Sequence, residues 1–451
     1  MTLSLFSIFL GLALLMFLAY RGHSIIWVAP LCAAVVAFLS GMNVLETYIS
    51  FGRDAAGSYA GSYMRGTAEY FVQWFPAFFL GAVYGKLMDM TGSARSLADV
   101  IVKLVGPRNA VLAVVLPCML MTYGGISLFV VVFAVYPMGY AIYRAANLPR
   151  TMLPAAIAFG GFGITMTTVP GTSQIQNLIP MSFYNTTPTA AAAYSIVGAL
   201  CMAIPGYFYL EWEVKKARRD GRVFVQDPEF KETAKNEALP KWHWLSGLLP
   251  ILTVITVLNV FSRHIVVSLI CGILLCCLLN IKQWKILAPA ISLGANGSLT
   301  AIMNTSCAVG FGSVIRLVPG FIVLTELMMN MPGNILFSQS VAVNVLSGAT
   351  GSASGGMSIA LDALGAQYVE KAIALSNDSA FRADEIFQLL HRVAAQSSGG
   401  LDTLPHNGAI LTLLAVSRCT HKESYKSIFI VNVLIPTFVS IVLAFIWGLA
   451  I

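Results

Sequence analysis

Long apolar runs separated by short polar segments dominate the sequence. Runs of roughly 18 to 25 residues recur, and this is the length that a helix needs to cross about 30 Å of hydrocarbon. They cover residues 3–20, 25–42, 69–85, 189–210, 244–262, 264–281 and 427–450. The pattern predicts an all-α polytopic membrane protein.

Several apolar runs are interrupted by Gly, Ser and Pro, and the interruptions come in pairs. Gly124-Gly125-Ile126-Ser127 in the first half resembles Gly355-Gly356-Met357-Ser358 in the second. At a nearly equal offset, Thr168-Val169-Pro170-Gly171-Thr172 corresponds to Thr403-Leu404-Pro405-His406-Asn407. Paired interruptions in two apolar halves are typical of a secondary transporter built from repeats, with its binding site where the broken helices meet.

A polar segment at residues 211–241 separates the halves. It carries five basic residues directly after a span, so the positive-inside rule makes it a cytoplasmic linker. We therefore expect a first repeat at residues 1–210 and a second repeat at residues 242–451. The basic residues on the other short loops are spread along the chain, so the net charge of +7 reports membrane topology and not a nucleic-acid surface.

The same charge rule predicts that the two repeats have opposite orientations. Basic loops flank residues 109–143 on both sides, so this segment must enter and leave the membrane by one face, as a re-entrant hairpin. The hairpin of residues 335–365 then opens from the other face. Each repeat also contains one broken transmembrane helix, at residues 151–180 and 386–418. Two inverted-topology repeats follow from this assignment.

The composition fits a membrane protein and offers no metal or catalytic motif. Hydrophobic residues make up 57% of the chain and charged residues only 10%, which is far more apolar than a soluble protein. The cysteines show no Cys-x-x-Cys spacing, and no Gly-x-Ser-x-Gly or His-Glu-x-x-His sequence occurs. We expect neither an enzyme nor a bound cofactor or metal.

The hairpin tips and the two breaks are the predicted substrate site. Non-helical backbone at membrane depth costs several kcal/mol per unpaired group unless it lines a cavity or is buried in protein. Glycine lets backbone approach a ligand, and helix N-termini favour anions. The alternative is that Gly and Ser merely permit close helix packing. The candidate substrate-binding residues are Gly124, Gly125, Ser127, Thr168, Thr172, Ser173, Ser352, Ser354, Gly355, Gly356, Thr403 and Asn407.

The second break also contains the two candidates for proton coupling. His406 is the first, because an imidazole titrates in the physiological range. Asp402 is the second, because an ionisable group near the membrane midplane is costly and usually functional. A helix-capping aspartate and a hydrogen-bonded histidine are the structural alternative. His391 and Arg392, about three turns earlier, are expected to face an outer vestibule instead.

The run from Ser398 to Ala409, followed by His421-Lys422-Glu423-Ser424-Tyr425-Lys426, resembles the gluconate permease (GntP) family. The chain is most similar to its D-beta-hydroxybutyrate permease branch, over nearly the whole length. The resemblance implies proton-coupled symport of a small hydroxy-monocarboxylate, like 3-hydroxybutyrate or gluconate, across a bacterial inner membrane. It also implies membership of the larger ion-transporter group, in which homodimers are common. The Leu-Pro-His-Asn form favours an acid of three or four carbons over gluconate.

Two other mechanisms remain open. In a sodium-coupled carboxylate transporter of the same fold, Ser352, Ser354, Thr403 and Asn407 would hold Na⁺, and no side chain would need to carry a proton. A channel is the second alternative, although paired hairpins from opposite faces suit alternating access better than a continuous pore.

Overall fold

A computed structural model of the chain describes residues 2–21, 23–44, 63–126, 128–226, 242–329, 331, 333–378, 381–405 and 407–451. Within these ranges all regular structure is helical. Each of the seven long apolar runs lies largely in a helix, because a helix satisfies every backbone N–H and C=O within its own segment. The chain is therefore an all-α protein of the polytopic membrane class.

The first half of the chain contains nine described helices. They are α1 (Thr2–Tyr20), α2 (Ile25–Leu39), α3 (Tyr63–Met90), α4 (Ser93–Val105), α5 (Ala110–Tyr123), α6 (Leu128–Ala145), α7 (Leu153–Ala158, continued by a π-helical segment Phe159–Thr168), α8 (Ile175–Tyr184) and α9 (Ala192–Arg219).

The second half follows with α10 (Trp244–Asn259), α11 (Ile265–Leu279), α12 (Trp284–Leu317), α13 (Gly320–Met329), α14 (Ile335–Thr350), α15 (Ala353–Asp378), α16 (Ala383–Ser398), α17 (Gly408–Ser417), α18 (His421–Ile428, continued by a π-helical segment Phe429–Leu434) and α19 (Ile435–Gly448). In the described ranges both halves show one order: two apolar helices, a long helix, a short helix, a helical hairpin, an interrupted helix and a final long helix.

Four continuous helical segments of the described chain are long and apolar enough to cross a membrane. They are Arg150–Thr168, Ala192–Arg219, Ile281–Leu317 and His421–Gly448. A fifth would join Ser93–Val105 to Pro107–Tyr123, although these helices meet at a bend of 96°. Several shorter apolar helices accompany them, including α2, α10, α11 and α14.

The long helices α3 and α12 pack closely against each other because glycines lie in their contact. A Cβ atom on Gly310 would lie 2.2 Å from Thr67 Oγ1, and one on Gly294 would lie 2.6 Å from the Cα of Val83. Tyr63 adds a hydrogen bond from its hydroxyl to the carbonyl of Cys307, at 3.0 Å. Small residues allow backbones to approach in this way within a membrane bundle. The α3–α12 pair is thus a well-packed support for the hairpins.

The predicted linker overlaps the C-terminal end of helix α9. Helix α9 continues to Arg219, so the first part of segment 211–241 is helical. The aliphatic stems of Lys and Arg can lie along apolar surface while their charged ends reach the headgroup region. A membrane helix can therefore continue beyond the apolar run that hydropathy detects. Residues 227–241 of this segment lie outside the described ranges.

Candidate functional site

The first hairpin tip joins α5 to α6 at residues 124–127. Gly125 has a positive φ of 85°, a conformation that glycine adopts without steric cost. Gly124 precedes it and is packed against α10, since a Cβ atom there would lie 2.5 Å from Ile251 Cγ2. The candidate Ser127 lies outside the described residues. The glycines of this tip therefore serve a tight turn and a close helix contact.

The second hairpin tip joins α14 to α15 and is shorter than the sequence suggests. Its turn consists of Gly351, with a φ of 60°, and Ser352. Gly355 and Gly356 already belong to α15, so the repeated Gly-Gly-x-Ser phrase has different roles in the two halves. A Cβ atom on Gly356 would lie 2.2 Å from the Cα of Ser347. Gly356 thus lets the two arms of the hairpin meet.

The first break, residues 169–174, separates the π-helical end of α7 from α8. Gln174 fastens it to the first tip, because its Nε2 donates to the carbonyls of Thr122 at 2.6 Å and Ile126 at 3.2 Å. Ser173 Oγ donates to the carbonyl of Tyr123, at 3.2 Å. These bonds connect the first break to the C-terminal end of α5 and to the tip that follows it.

The second break, residues 399–407, separates α16 from α17 and contains one short 3₁₀ turn, Leu401–Thr403. Asn407 caps α17, because its Oδ1 accepts from the backbone N–H groups of Ala409 and Ile410. Its Nδ2 donates to the carbonyls of Gly351 at 3.0 Å and Asp402 at 2.9 Å. In each half, therefore, one amide side chain of the break holds the hairpin tip of that half.

A cavity of about 560 Å³ lies between the two tips and the two breaks. We call it the central cavity. Both halves contribute to its wall, and helices α3, α11 and α12 close its sides. Six of the sequence candidates line it: Gly125, Ser173, Ser352, Ser354, Asp402 and Asn407.

The remaining described candidates are not on the wall. Thr168 is fully buried, and its hydroxyl points to Met202 Sδ. The Thr403 hydroxyl donates to the carbonyl of Asn432, at 2.9 Å. Thr172 is also fully buried away from the cavity, while Gly124, Gly355 and Gly356 serve turns and helix packing. In irregular backbone, depth in the membrane does not fix the direction of a side chain. His406 lies outside the described residues, so its role stays a prediction.

Asp402 gives the central cavity its chemical character. It is 2% exposed, and its Oδ1 accepts no hydrogen bond from the described part of the chain. Among the described residues on the wall it is the one acidic side chain, and neither lysine nor arginine accompanies it. Helices α8, α15 and α17 all begin at this wall, with Gln174, Ser352 and Asn407 just before their first residues. Their N-termini direct partial positive charge toward the cavity.

Comparison with known proteins agrees with a transport function. No family model matches the chain. The uncharacterized transporter YxjC of Bacillus subtilis (strain 168) is 36% identical over 474 aligned residues, which cover 96% of this chain and 96% of that protein. The chain belongs to this transporter family. It is a multi-pass membrane transporter, and the central cavity is its candidate substrate site.

Several polar residues of the transporter's cavity wall are not among the sequence candidates. They are His23, Ser24, Gln174, Gln176, Asn304, Thr305 and Thr350. Gln174 lies in the first break and Gln176 follows it by two residues, so their position close to Ser173 was a usable signal. Asn304 and Thr305 lie in the middle of the long helix α12, where only their polarity within an apolar run marks them.

His391 and Arg392 do not face a vestibule, contrary to the sequence expectation. Both are fully buried in helix α16. They contact residues of the first half, namely Asn177 and the loop of residues 185–191. His391 and Arg392 are polar residues of a broken helix, and we therefore expected them to be exposed. The loop before α9 instead folds over these side chains.

Proposed function

We propose that this transporter carries a small organic anion into the cell by symport with protons across a bacterial inner membrane. The central cavity is the observation that carries the proposal. It lies where two hairpin tips and two helix breaks meet, as in transporters whose substrate sites are built from discontinuous helices. Its volume is within the usual range for small-molecule sites.

The wall suits a hydroxylated carboxylate. Three helices begin there, and the positive ends of their dipoles favour a negative group. Ser352, Ser354 and Gln176 add hydroxyl and amide groups that can bond a substrate hydroxyl or carboxylate. The resemblance to the hydroxybutyrate branch of the gluconate permease family agrees with this chemistry. We therefore propose a hydroxy-monocarboxylate of three or four carbons as the substrate.

Asp402 supports coupling to protons. An ionised carboxylate and a bound anion in one cavity of low dielectric constant would repel each other strongly. Protonation of Asp402 removes that repulsion, so a loaded carrier takes up a proton together with the anion. Release of the anion then allows Asp402 to ionise again. His406, next to Asn407 in the second break, is proposed as a partner in this step.

The arrangement of the helices supports alternating access. The same order of elements occurs in both halves, each with a hairpin at residues 109–143 or 335–365. We propose that the halves are inverted repeats and that the hairpins enter the membrane from opposite faces. Each hairpin could then open the central cavity to one side only, which distinguishes a carrier from a channel.

The proposal is tested by uptake of labelled 3-hydroxybutyrate into proteoliposomes. One set receives an inward proton gradient, a second set receives an inward sodium gradient, and liposomes without protein serve as the control. Accumulation driven by protons is the expected result. Accumulation driven only by sodium would replace the coupling mechanism, and conductance far above carrier turnover would identify a channel.

A further inference from the structure

We propose that Arg392 supplies the fixed positive charge that draws the anion into the central cavity, a proposal that rests on the anion transport proposed above. Arg392 is not on the cavity wall. It acts from behind the first break and belongs to the opposite half of the chain. It is therefore a positioning and specificity residue, with no direct contact to the substrate.

The charge of Arg392 is buried without a carboxylate. Its Nη1 donates to Asn177 Oδ1 at 2.8 Å. Its Nη2 donates to the carbonyls of Pro188 at 3.0 Å and Ala190 at 3.1 Å, and Nε also donates to Ala190 at 3.2 Å. Within the described ranges no salt bridge includes Arg392, which is fully buried. Its positive charge is balanced only by the dipoles of neutral groups.

Asn177 connects Arg392 to the first break. Its Nδ2 donates to the carbonyls of Thr172 at 2.8 Å and Pro188 at 3.0 Å. Its Oδ1 accepts from Arg392 and from Nε2 of His391, the latter at 3.2 Å. These four bonds use every donor and two acceptor positions of the amide, so its orientation is fixed. Because Oδ1 can only accept, His391 Nε2 must carry a hydrogen.

The cavity wall begins one residue away from this cluster. Ser173 follows Thr172, and Gln176 and Leu178 flank Asn177; all three line the central cavity. The guanidinium thus lies behind the wall, connected to it through Asn177 and the first break. For a separation on the order of 10 Å and an effective dielectric constant of about 20, a unit charge changes the binding of an anion roughly tenfold.

Hydrogen bonding alone does not require a charge at this position. The acceptors are backbone carbonyls and one amide oxygen, which a neutral side chain with N–H groups could also bond. Burial of an unpaired charge costs several kcal/mol. An anion in the central cavity offsets part of that cost, and this gives the guanidinium a role beyond holding the loop of residues 185–191.

Binding to purified transporter in detergent tests the proposal. The probes are the sodium salts of acetate, lactate and 3-hydroxybutyrate, together with uncharged 3-hydroxybutyramide. Apparent dissociation constants are taken from ligand-dependent shifts in melting temperature. The variants are Arg392→Gln, which removes the charge, and Arg392→Lys, which keeps it. His391→Gln is the matched control, because it alters the same cluster without removing a fixed charge.

We expect Arg392→Gln to weaken binding of the anions about tenfold, while Arg392→Lys changes it less than about threefold. The amide should bind equally to all three variants and to the wild type, which also shows that they are folded. Equal losses in the Lys and Gln variants, or parallel losses for the amide, would overturn the proposal in favour of a structural role. If the wild type binds none of the anions, both this proposal and anion transport fail.

Discussion

In both breaks an amide side chain holds a hairpin tip, but the two breaks place different side chains on the cavity wall. In the first half Gln174 holds the hairpin tip, and the wall beside it carries polar groups such as Ser173 and Gln176. In the second half Asn407 holds the tip, and Asp402 lines the same cavity. The two halves therefore make different contributions: the first half supplies neutral contacts, and the second half supplies both Arg392, which lies behind the first break, and the carboxyl group that can exchange a proton.

Blocking the part of the cavity wall that the second half supplies should have the largest effect on uptake. Ser354→Trp places an indole ring in the central cavity, so uptake should fall to the level of empty liposomes while the protein remains in the membrane. Asn377→Trp, at the exposed end of the same helix, is the matched control and should leave uptake unchanged. Ser173→Trp tests the part of the cavity wall that the first half supplies, in the same assay. Normal uptake by either cavity variant would show that its wall lies away from the substrate path.

The two tip-holding amides should differ in their contribution to stability. Asn407→Ala removes a helix cap and leaves two carbonyls without a donor, so we expect a loss of about 3 kcal/mol. Gln174→Ala removes a donor from two carbonyls, but the Thr122 carbonyl keeps its bond from the Gly125 N–H and no cap is lost, so the change should cost about 1–2 kcal/mol. Thermal unfolding of the purified variants checks the order, with Ser292→Ala on an exposed helix face as the control. A larger loss for Gln174→Ala would contradict this comparison.

The turn glycine of the first tip should have an effect about as small as that of Gln174→Ala. Gly125→Ala forces a Cβ atom into the left-handed region, which costs about 1–2 kcal/mol. Gly297→Ala is a helical glycine control with open space around it and should be neutral or stabilising by up to about 1 kcal/mol. Melting temperatures measure both. Equal values for the two variants would mean that the first tip relaxes without strain.

The sequence contains most of the information needed for the fold. Apolar length predicts the helices, because a span in hydrocarbon must be long and internally hydrogen-bonded. Gly351 and Gly125 mark the two turns, since both adopt a positive φ. The predicted second tip, residues 351–358, includes the observed turn but extends beyond it: the Gly355-Gly356 pair lies in the first turn of α15, where it serves packing.

The site was harder to predict than the fold. Thr168 ends the π-helical segment of α7 and Ser173 follows five residues later in the first break, yet the first contacts Met202 and the second lines the cavity. Irregular backbone has no periodicity from which side-chain direction could be derived. Asn304 was missed because helix α12 is apolar over most of its length, and the contact between the two halves through Arg392 depends on tertiary packing alone.

The most direct test of the account compares net accumulation with exchange in the Asp402→Asn variant. Both are measured in proteoliposomes with labelled 3-hydroxybutyrate, the first under an inward proton gradient and the second with unlabelled substrate inside. If Asp402 carries the coupled proton, the variant should exchange substrate across the membrane but no longer accumulate it above the external concentration. Accumulation as in the wild type would contradict the assignment of the coupled proton to Asp402.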